Sequence, residues 1–317
     1  MALAGQVAIA YLLDLLLGDP AWITHPVTVM GRVISGLERI FRLFCHTARS
    51  ERLAGTVLAV AVTGGAYAAT AVALRLAGWL HPYLGIALSA WLISTTIAVR
   101  GLAEAAMEIS RWLGRGDLKE ARRALARVVG RDTESLEEPE IVRGAVETVA
   151  ENTTDGVVSP LFYALLGGAP LAMAYRAVNT LDSMVGYRDE RYLHLGWASA
   201  RLDDLANYLP ARVTGLLLVA AAALRGLDWN RAWRTWRSDA ARHPSPNSGI
   251  PEAVMAGALG VRLGGLNYYR GKPSFRAYLG TPEKPLEPPI IKDAVGLMYL
   301  ASFLAVTVGL AIRRGLS

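Results

Sequence analysis

Residues 53–74, LAGTVLAVAVTGGAYAATAVAL, and residues 76–99, LAGWLHPYLGIALSAWLISTTIAV, are separated by Arg75 alone. Neither run contains Asp, Glu, Lys or Arg, and at 22 and 24 residues each is long enough to cross a bilayer core of about 30 Å as a helix. With Arg75 and His81-Pro82 marking the join, the pair predicts a transmembrane hairpin. That reading decides the fold class: all-α, a polytopic integral membrane bundle. Composition agrees, since hydrophobic residues make up 53% of the 317, charged residues 19%, and mean hydropathy is +0.30.

Outward from the hairpin, toward the N-terminus, residues 31–52 carry Arg32, Arg39, Arg42, Arg49 and Arg52 on an amphipathic pattern suited to a membrane surface. Residues 1–17 are apolar enough for a short span. Asp14 inside it must face protein, water or a cation, because a carboxylate at bilayer depth costs about 2.5 to 3.5 kcal/mol. Gly18, Asp19 and Pro20 then end that helix.

Toward the C-terminus, residues 100–155 form a polar, helical, cytoplasmic insertion. Gly114 to Asp117 separates two of its helices, and Glu137-Glu138-Pro139 opens a third. Residues 157–175 are apolar but interrupted by Ser159-Pro160 and by Gly167-Gly168-Ala169-Pro170, which predicts a broken or re-entrant segment. Residues 209–224, with Arg212 inside, and 294–312 complete the apolar set. The expectation is one membrane-embedded domain, 1–317, with spans near 1–17, 53–74, 76–99, 157–175, 209–224 and 294–312. Between positions 225 and 293 basic residues outnumber acidic ones by 11 to 6, which places the polar regions in the cytoplasm by the positive-inside rule. The net charge of +6 is explained the same way, and no nucleic-acid-binding signature accompanies it. The single cysteine, Cys45, rules out an internal disulfide framework.

The polar residues beside the apolar runs carry the chemistry. On a helix Glu147, Glu151 and Asp155 fall four apart, and like charges at that spacing repel. A solvated acidic face is one resolution. A covering cation is the other, either an arginine or a hard ion such as Mg2+, which takes one or two carboxylates together with substrate phosphates. Asn152 lies beside the stripe. Further along come Asn179 and Asp182, then Asp203, Asp204 and Asn207, then His243 and Asn247 in a Pro-rich turn feeding a helix at Pro251-Glu252, whose first turn could hold an anion. Residues 265–272 come nearest to a Walker A loop, with wrong spacing and Pro273 where Ser or Thr is required.

These pieces, taken in order, resemble the adenosylcobinamide-phosphate synthases of cobalamin biosynthesis, the CbiB/CobD family. The matching segments are DLLLGDP (14–20) with HPV (25–27), ETVAEN (147–152) with Asp155-Gly156, NTLDSMVG (179–186), Asp203-Asp204 with Asn207 and Pro210, and Asp239 with HPSPN (243–247) and Pro251-Glu252. The resemblance implies a multi-pass enzyme of the cytoplasmic membrane with its active site facing the cytoplasm. Such an enzyme joins adenosylcobyric acid to (R)-1-aminopropan-2-ol or its O-phosphate through an amide, using ATP and Mg2+. On that reading Glu147, Glu151, Asp155, Asp182 and His243 are catalytic. Asn152, Asn179, Asp203, Asp204, Asn207, Asn247 and Glu252 bind the nucleotide, and Glu147, Glu151, Asp155, Asp182, Asp14 and Asp19 are the metal ligands. Its partners are the corrinoid, aminopropanol or its phosphate, membrane lipid and other membrane-bound enzymes of the same assembly. A transporter with an intramembrane carboxylate site is the competing class. More than a hundred residues of polar loop and the absence of inverted halves weigh against it.

Overall fold

The computed structural model describes residues 3–18, 24–187 and 189–315, so Asp19 lies outside the described residues. In chain order the elements are α1 (Leu3–Leu17), α2 (Pro26–Phe44), α3 (Ala48–Leu80), α4 (Pro82–Ser94), α5 (Val99–Leu113), α6 (Leu118–Ala126) and α7 (Glu138–Asn152). A π-helical turn (Thr153–Val158) leads into α8 (Ser159–Val185), α9 (Trp197–Ala206), α10 (Tyr208–Leu224) and α11 (Trp229–Asp239). After a 3-10 turn (Ala240–Arg242) come α12 (Gly249–Leu259), strands β1 (Leu263–Tyr269) and β2 (Lys272–Leu279), and α13 (Pro288–Gly315). The fold is all-α apart from that one antiparallel hairpin.

Local chemistry sets the boundaries. Helix α3 runs through Arg75 and breaks instead at His81, because Pro82 cannot continue the hydrogen-bond ladder and the His81 ring accepts from Tyr83 N–H at 3.3 Å to cap the next helix. Asp117 caps α6 through Glu120 N–H at 3.1 Å. Inside α8 the chain leaves helical geometry at Gly167 and Gly168, the latter at φ +70°, a conformation that glycine adopts without steric cost. Arg270 and Gly271, at φ 52° and 75°, form the two-residue hairpin turn with both central residues left-handed, the pairing that matches strand twist.

Among the described residues four helices are long and apolar enough to cross a membrane: Ala48–Leu80, Pro82–Leu113, Glu138–Val185 and Pro288–Gly315. The bent pair α9 and α10 would make a fifth. The apolar runs 53–74, 76–99, 157–175, 209–224 and 294–312 lie within or across these elements. Helix α1, by contrast, has 15 residues and falls short of a full span.

The chain divides into two compact units, each discontinuous in sequence. The first comprises the described parts of Met1–Ala98, Ser159–Asn207 and Val306–Ser317. In it α8 packs on α3, α4 and α9, and Leu58, Ile93, Leu161 and Leu181 are fully buried. Only 22% of the most apolar window of α3 is buried. Leu53, Val57, Val60, Val72 and Leu76 therefore face outward, which suits lipid and would be a liability in water. The second unit is Val99–Val158 with Tyr208–Ala305. Its centre is α12, buried at every residue and packed on α7, α10, α11 and the hairpin.

Candidate active site

In the second unit, α7 and the first turn of α12 bring three carboxylates into one network with arginines. Glu147, buried on α7, uses both oxygens: Oε2 accepts from Arg131 Nη1 at 2.9 Å and Oε1 from Gly264 N–H at 2.8 Å. Arg131 also donates to Asn267 Oδ1. Arg143, one turn earlier on α7, donates to Asn267 Oδ1 at 3.2 Å and to the carbonyls of Gly264 and Leu266. The cation over Glu147 is thus an arginine, and the ion pair ties α7 to the hairpin. Breaking a pair as buried as this one, with side chains 5% and 8% exposed, costs about 3 to 5 kcal/mol.

Glu151, half-buried, accepts from Ser248 Oγ at 3.1 Å. It shares a polar cavity of about 130 Å3 with Glu147, Asn152, Arg131, Arg276 and Tyr269. Asn152 donates to the Thr148 carbonyl of its own helix at 3.0 Å. Asp155 lies in the π-helical turn, where the wider i to i+5 spacing takes it out of the four-residue register of Glu147 and Glu151.

Ser245 organises the turn before α12, its hydroxyl accepting the N–H groups of Asn247 and Ser248, both at 3.2 Å. The helix begins at Gly249, two residues before Pro251. Asn247, buried, accepts from Arg212 Nη1 at 3.1 Å. The His243 Nδ1 lies 3.0 Å from Ser245 N–H and 3.3 Å from the Ser245 carbonyl, and Nε2 faces Glu252 Oε1 at 3.6 Å. Burial, reinforced by the charges of Glu147 and Glu151, pushes the Glu252 carboxyl well above its ordinary range. Burial and the nearby Arg276 hold the His243 imidazole below its own. Both shifts disfavour the charged forms of the two side chains.

The first unit carries a second polar cluster. Asn207 is its hub: Nδ2 donates to Asp203 Oδ2 at 3.1 Å, while Oδ1 accepts from Ser159 Oγ at 2.6 Å and Tyr175 OH at 2.9 Å. Tyr163 stacks on Tyr175 with ring centroids 5.0 Å apart and donates to the Ala206 carbonyl. Asp182, Asp204 and Asn179 act on Asp203 electrostatically or by hydrogen bond. Gly186 closes α8 where a side chain could not fit, since a Cβ there would stand 1.9 Å from Asp182 Oδ1. Asp14 is buried in α1 of the same unit.

The sequence candidates therefore separate into Glu147, Glu151, Asn152, Asp155, His243, Asn247 and Glu252 in one unit and Asp14, Asn179, Asp182, Asp203, Asp204 and Asn207 in the other. Among the described residues no group of three or more His, Cys, Asp or Glu is arranged to hold a metal ion. Mg2+ fits this donor set only as an ion held by one or two carboxylates, its remaining positions filled by water and phosphate oxygens.

A sequence model of the family described as CobD/Cbib protein matches residues 7–298. The chain belongs to the CobD/CbiB family. It is 53% identical over 307 residues to "Cobalamin biosynthesis protein CobD" of Geobacter metallireducens, covering 96% of each chain. It is 47% identical over 309 residues to "Cobalamin biosynthesis protein CbiB" of Salmonella typhimurium, covering 98% of this chain and 97% of that one. The Klebsiella pneumoniae protein named "Cobalamin biosynthesis protein CobD" is 47% identical over 305 residues. No solved structure matches.

The sequence segments that resemble the CobD/CbiB family omit Arg131, Arg143, Asn267, Tyr269 and Arg276. Their signal was present but weak: Arg270-Gly271 between two runs of alternating pattern marks a hairpin, and a hairpin beside a carboxylate-rich helix is where compensating arginines belong.

Proposed function

We propose that this CobD/CbiB-family chain acts in cobalamin biosynthesis as an ATP-dependent carbon–nitrogen ligase, joining the carboxyl group of adenosylcobyric acid to the amine of (R)-1-aminopropan-2-ol or its O-phosphate. The family match across residues 7–298 carries the reading. The buried carboxylate and guanidinium network supports it, because a ligase without a P-loop must hold phosphate and ammonium groups with fixed charges.

The bonds balance simply. The corrinoid carboxylate attacks the terminal phosphorus of ATP, ADP leaves, and the amine displaces phosphate from the acyl phosphate with loss of one proton. An amine at neutral pH arrives as ammonium and sheds two protons on its way to the amide: the half-buried Glu151 holds it and accepts the one lost before attack, and the departing phosphate takes the second. The uncharged His243 and the Arg212-anchored Asn247 orient the amino alcohol. Both oxygens of Glu147 are occupied, so its part is to position Arg131. Mg2+, with Glu151, Asp155 or Asp182 as protein ligand, would neutralise the triphosphate. In the other unit Asp203, Asp204, Asn179 and Asn207 are the candidate nucleotide-binding residues, and Asp14 is a candidate metal ligand.

Concavities of about 490 Å3 beside His243 and about 500 Å3 beside Arg143 suit cofactor-sized ligands. The excess of basic residues in the polar regions supports a site that faces the cytoplasm, where ATP is found. The test is direct: purified protein in detergent, given adenosylcobyric acid, the amino alcohol or its phosphate, and Mg2+-ATP, releases ADP and yields a corrinoid heavier by the mass of the amine less water. Corrinoid uptake into vesicles with no mass change would support transport instead.

A further inference from the structure

The cavity between Glu151 and the hairpin has more donor capacity than the protein uses. Arg131 is 8% exposed, and although its Nη1 is committed to Glu147 and Asn267, its Nε and Nη2 are buried with no hydrogen-bond partner among the described residues. Nη2 packs against Gly144, so an acceptor in the cavity reaches this unpaired edge when the Arg131 side chain turns toward it, which would recover the cost of leaving a charged donor unpaired. Arg276 lines the same cavity from β2 and donates from Nη2 to Tyr269 OH at 3.2 Å. Two guanidinium groups and a phenol converging on one polar space form the donor set that recognises a tetrahedral oxyanion, through planar forks that lysine cannot reproduce.

Size narrows the occupant. At about 130 Å3 the space equals roughly four water molecules. A phosphate group fits it, and a larger ligand would seat only its phosphate end there. Glu151 in the same lining supplies the opposite charge, so a ligand with phosphate at one end and a cation at the other meets complementary groups.

We propose that Arg131 and Arg276, with Tyr269, form a phosphate-binding pocket that seats the phosphate group of one substrate against the hairpin. The proposal rests on the ligase reading for the identity of its substrates. Two sources share this chemistry, the terminal phosphate of ATP and the phosphate of the amino alcohol.

Titration calorimetry in detergent separates them, using inorganic phosphate, aminopropanol O-phosphate, unphosphorylated aminopropanol and ATP as probes. Arg276 is half-buried in the cavity lining, and Arg276→Gln, which keeps a polar side chain of similar length, should fold. It should weaken phosphate binding about ten- to a hundredfold and leave unphosphorylated aminopropanol unchanged. A matching loss for aminopropanol phosphate alone assigns the pocket to the amino alcohol, and a matching loss for ATP alone assigns it to the nucleotide. Arg276→Lys, which keeps the charge without the fork, should recover less than half of the lost binding free energy. Unchanged affinity for all phosphate probes in Arg276→Gln would overturn the proposal, even with amide formation intact. Conversely, phosphate binding that depends on Arg276 in a protein that makes no amide would sink the ligase reading and leave the pocket standing.

Discussion

The two polar clusters handle buried carboxylates in opposite ways. In the second unit Glu147 is matched by Arg131, and Glu252 feels Arg276 and Arg131. In the first unit Asp203 is met by the Asn207 amide, with further carboxylates, Asp182 and Asp204, acting on it. One cluster pairs Glu147 directly with a guanidinium group, whereas in the other the Asn207 amide holds Asp203 and Arg176 reaches only Asn179, at 3.3 Å, among the described contacts. A charge-matched network fails hard when one member is lost, because the survivor is an uncompensated buried ion. An amide-centred one loses only a hydrogen bond's worth.

The largest expected effect breaks the charge-matched side. Arg131→Met should lower stability by about 3 to 5 kcal/mol in chemical unfolding in detergent, and the double variant Arg131→Met, Glu147→Met should recover most of it. If the double variant were as unstable as the single one, the pair would not be the linchpin. Next, Glu151→Gln should cut amide formation by about a hundredfold or more with an unchanged unfolding profile. Turnover at the unmodified level would remove Glu151 from the chemistry.

A pH series sharpens the contrast further. Glu252 holds its proton in the folded state above the ordinary value of 4.5, so the native state binds more protons than the unfolded one there and stability falls as pH rises toward the folded value. His243 is held below its ordinary 6.5, so its contribution has the opposite sign, and stability falls as pH drops beneath 6.5. Glu252→Gln should therefore be more stable than the parent at pH 8, the advantage shrinking toward pH 5. An advantage that is flat with pH would show that Glu252 is not the group responsible. The smallest effect lies in the amide-centred cluster: Tyr175→Phe, which removes one donor to Asn207, should cost about 1 kcal/mol. A loss above about 3 kcal/mol would erase the distinction between the clusters.

The features legible in sequence are those whose cause is local. Pro82 ends α3, Asp117 caps α6, and Gly168 breaks α8, each through residues within a few positions. Glu147, Glu151, Asn247 and His243 were legible as chemistry because carboxylates, amides and imidazoles stand out beside apolar runs. What holds Glu147 was not, since Arg131 and Gly264 reach it from 16 and 117 positions away, and pairing at those distances leaves no periodic trace. The π-helical turn was missed for a related reason. A single residue of extra spacing inside Thr153–Val158 leaves composition untouched while taking Asp155 off the stripe it extends on paper.

The hairpin turn is fastened from outside. Both oxygens of Asp132 accept backbone N–H groups of Arg270 and Gly271, at 3.0 and 2.7 Å, and its own N–H reaches the Tyr268 carbonyl at 2.8 Å. Asp132 is the chain neighbour of Arg131, so one clasp near the surface sets the spacing between the two guanidinium groups that line the cavity. Loosening it would leave every lining side chain in place by identity yet misaligned by fractions of an ångström. A defect at position 132 would then register as weakened substrate affinity rather than as a damaged fold.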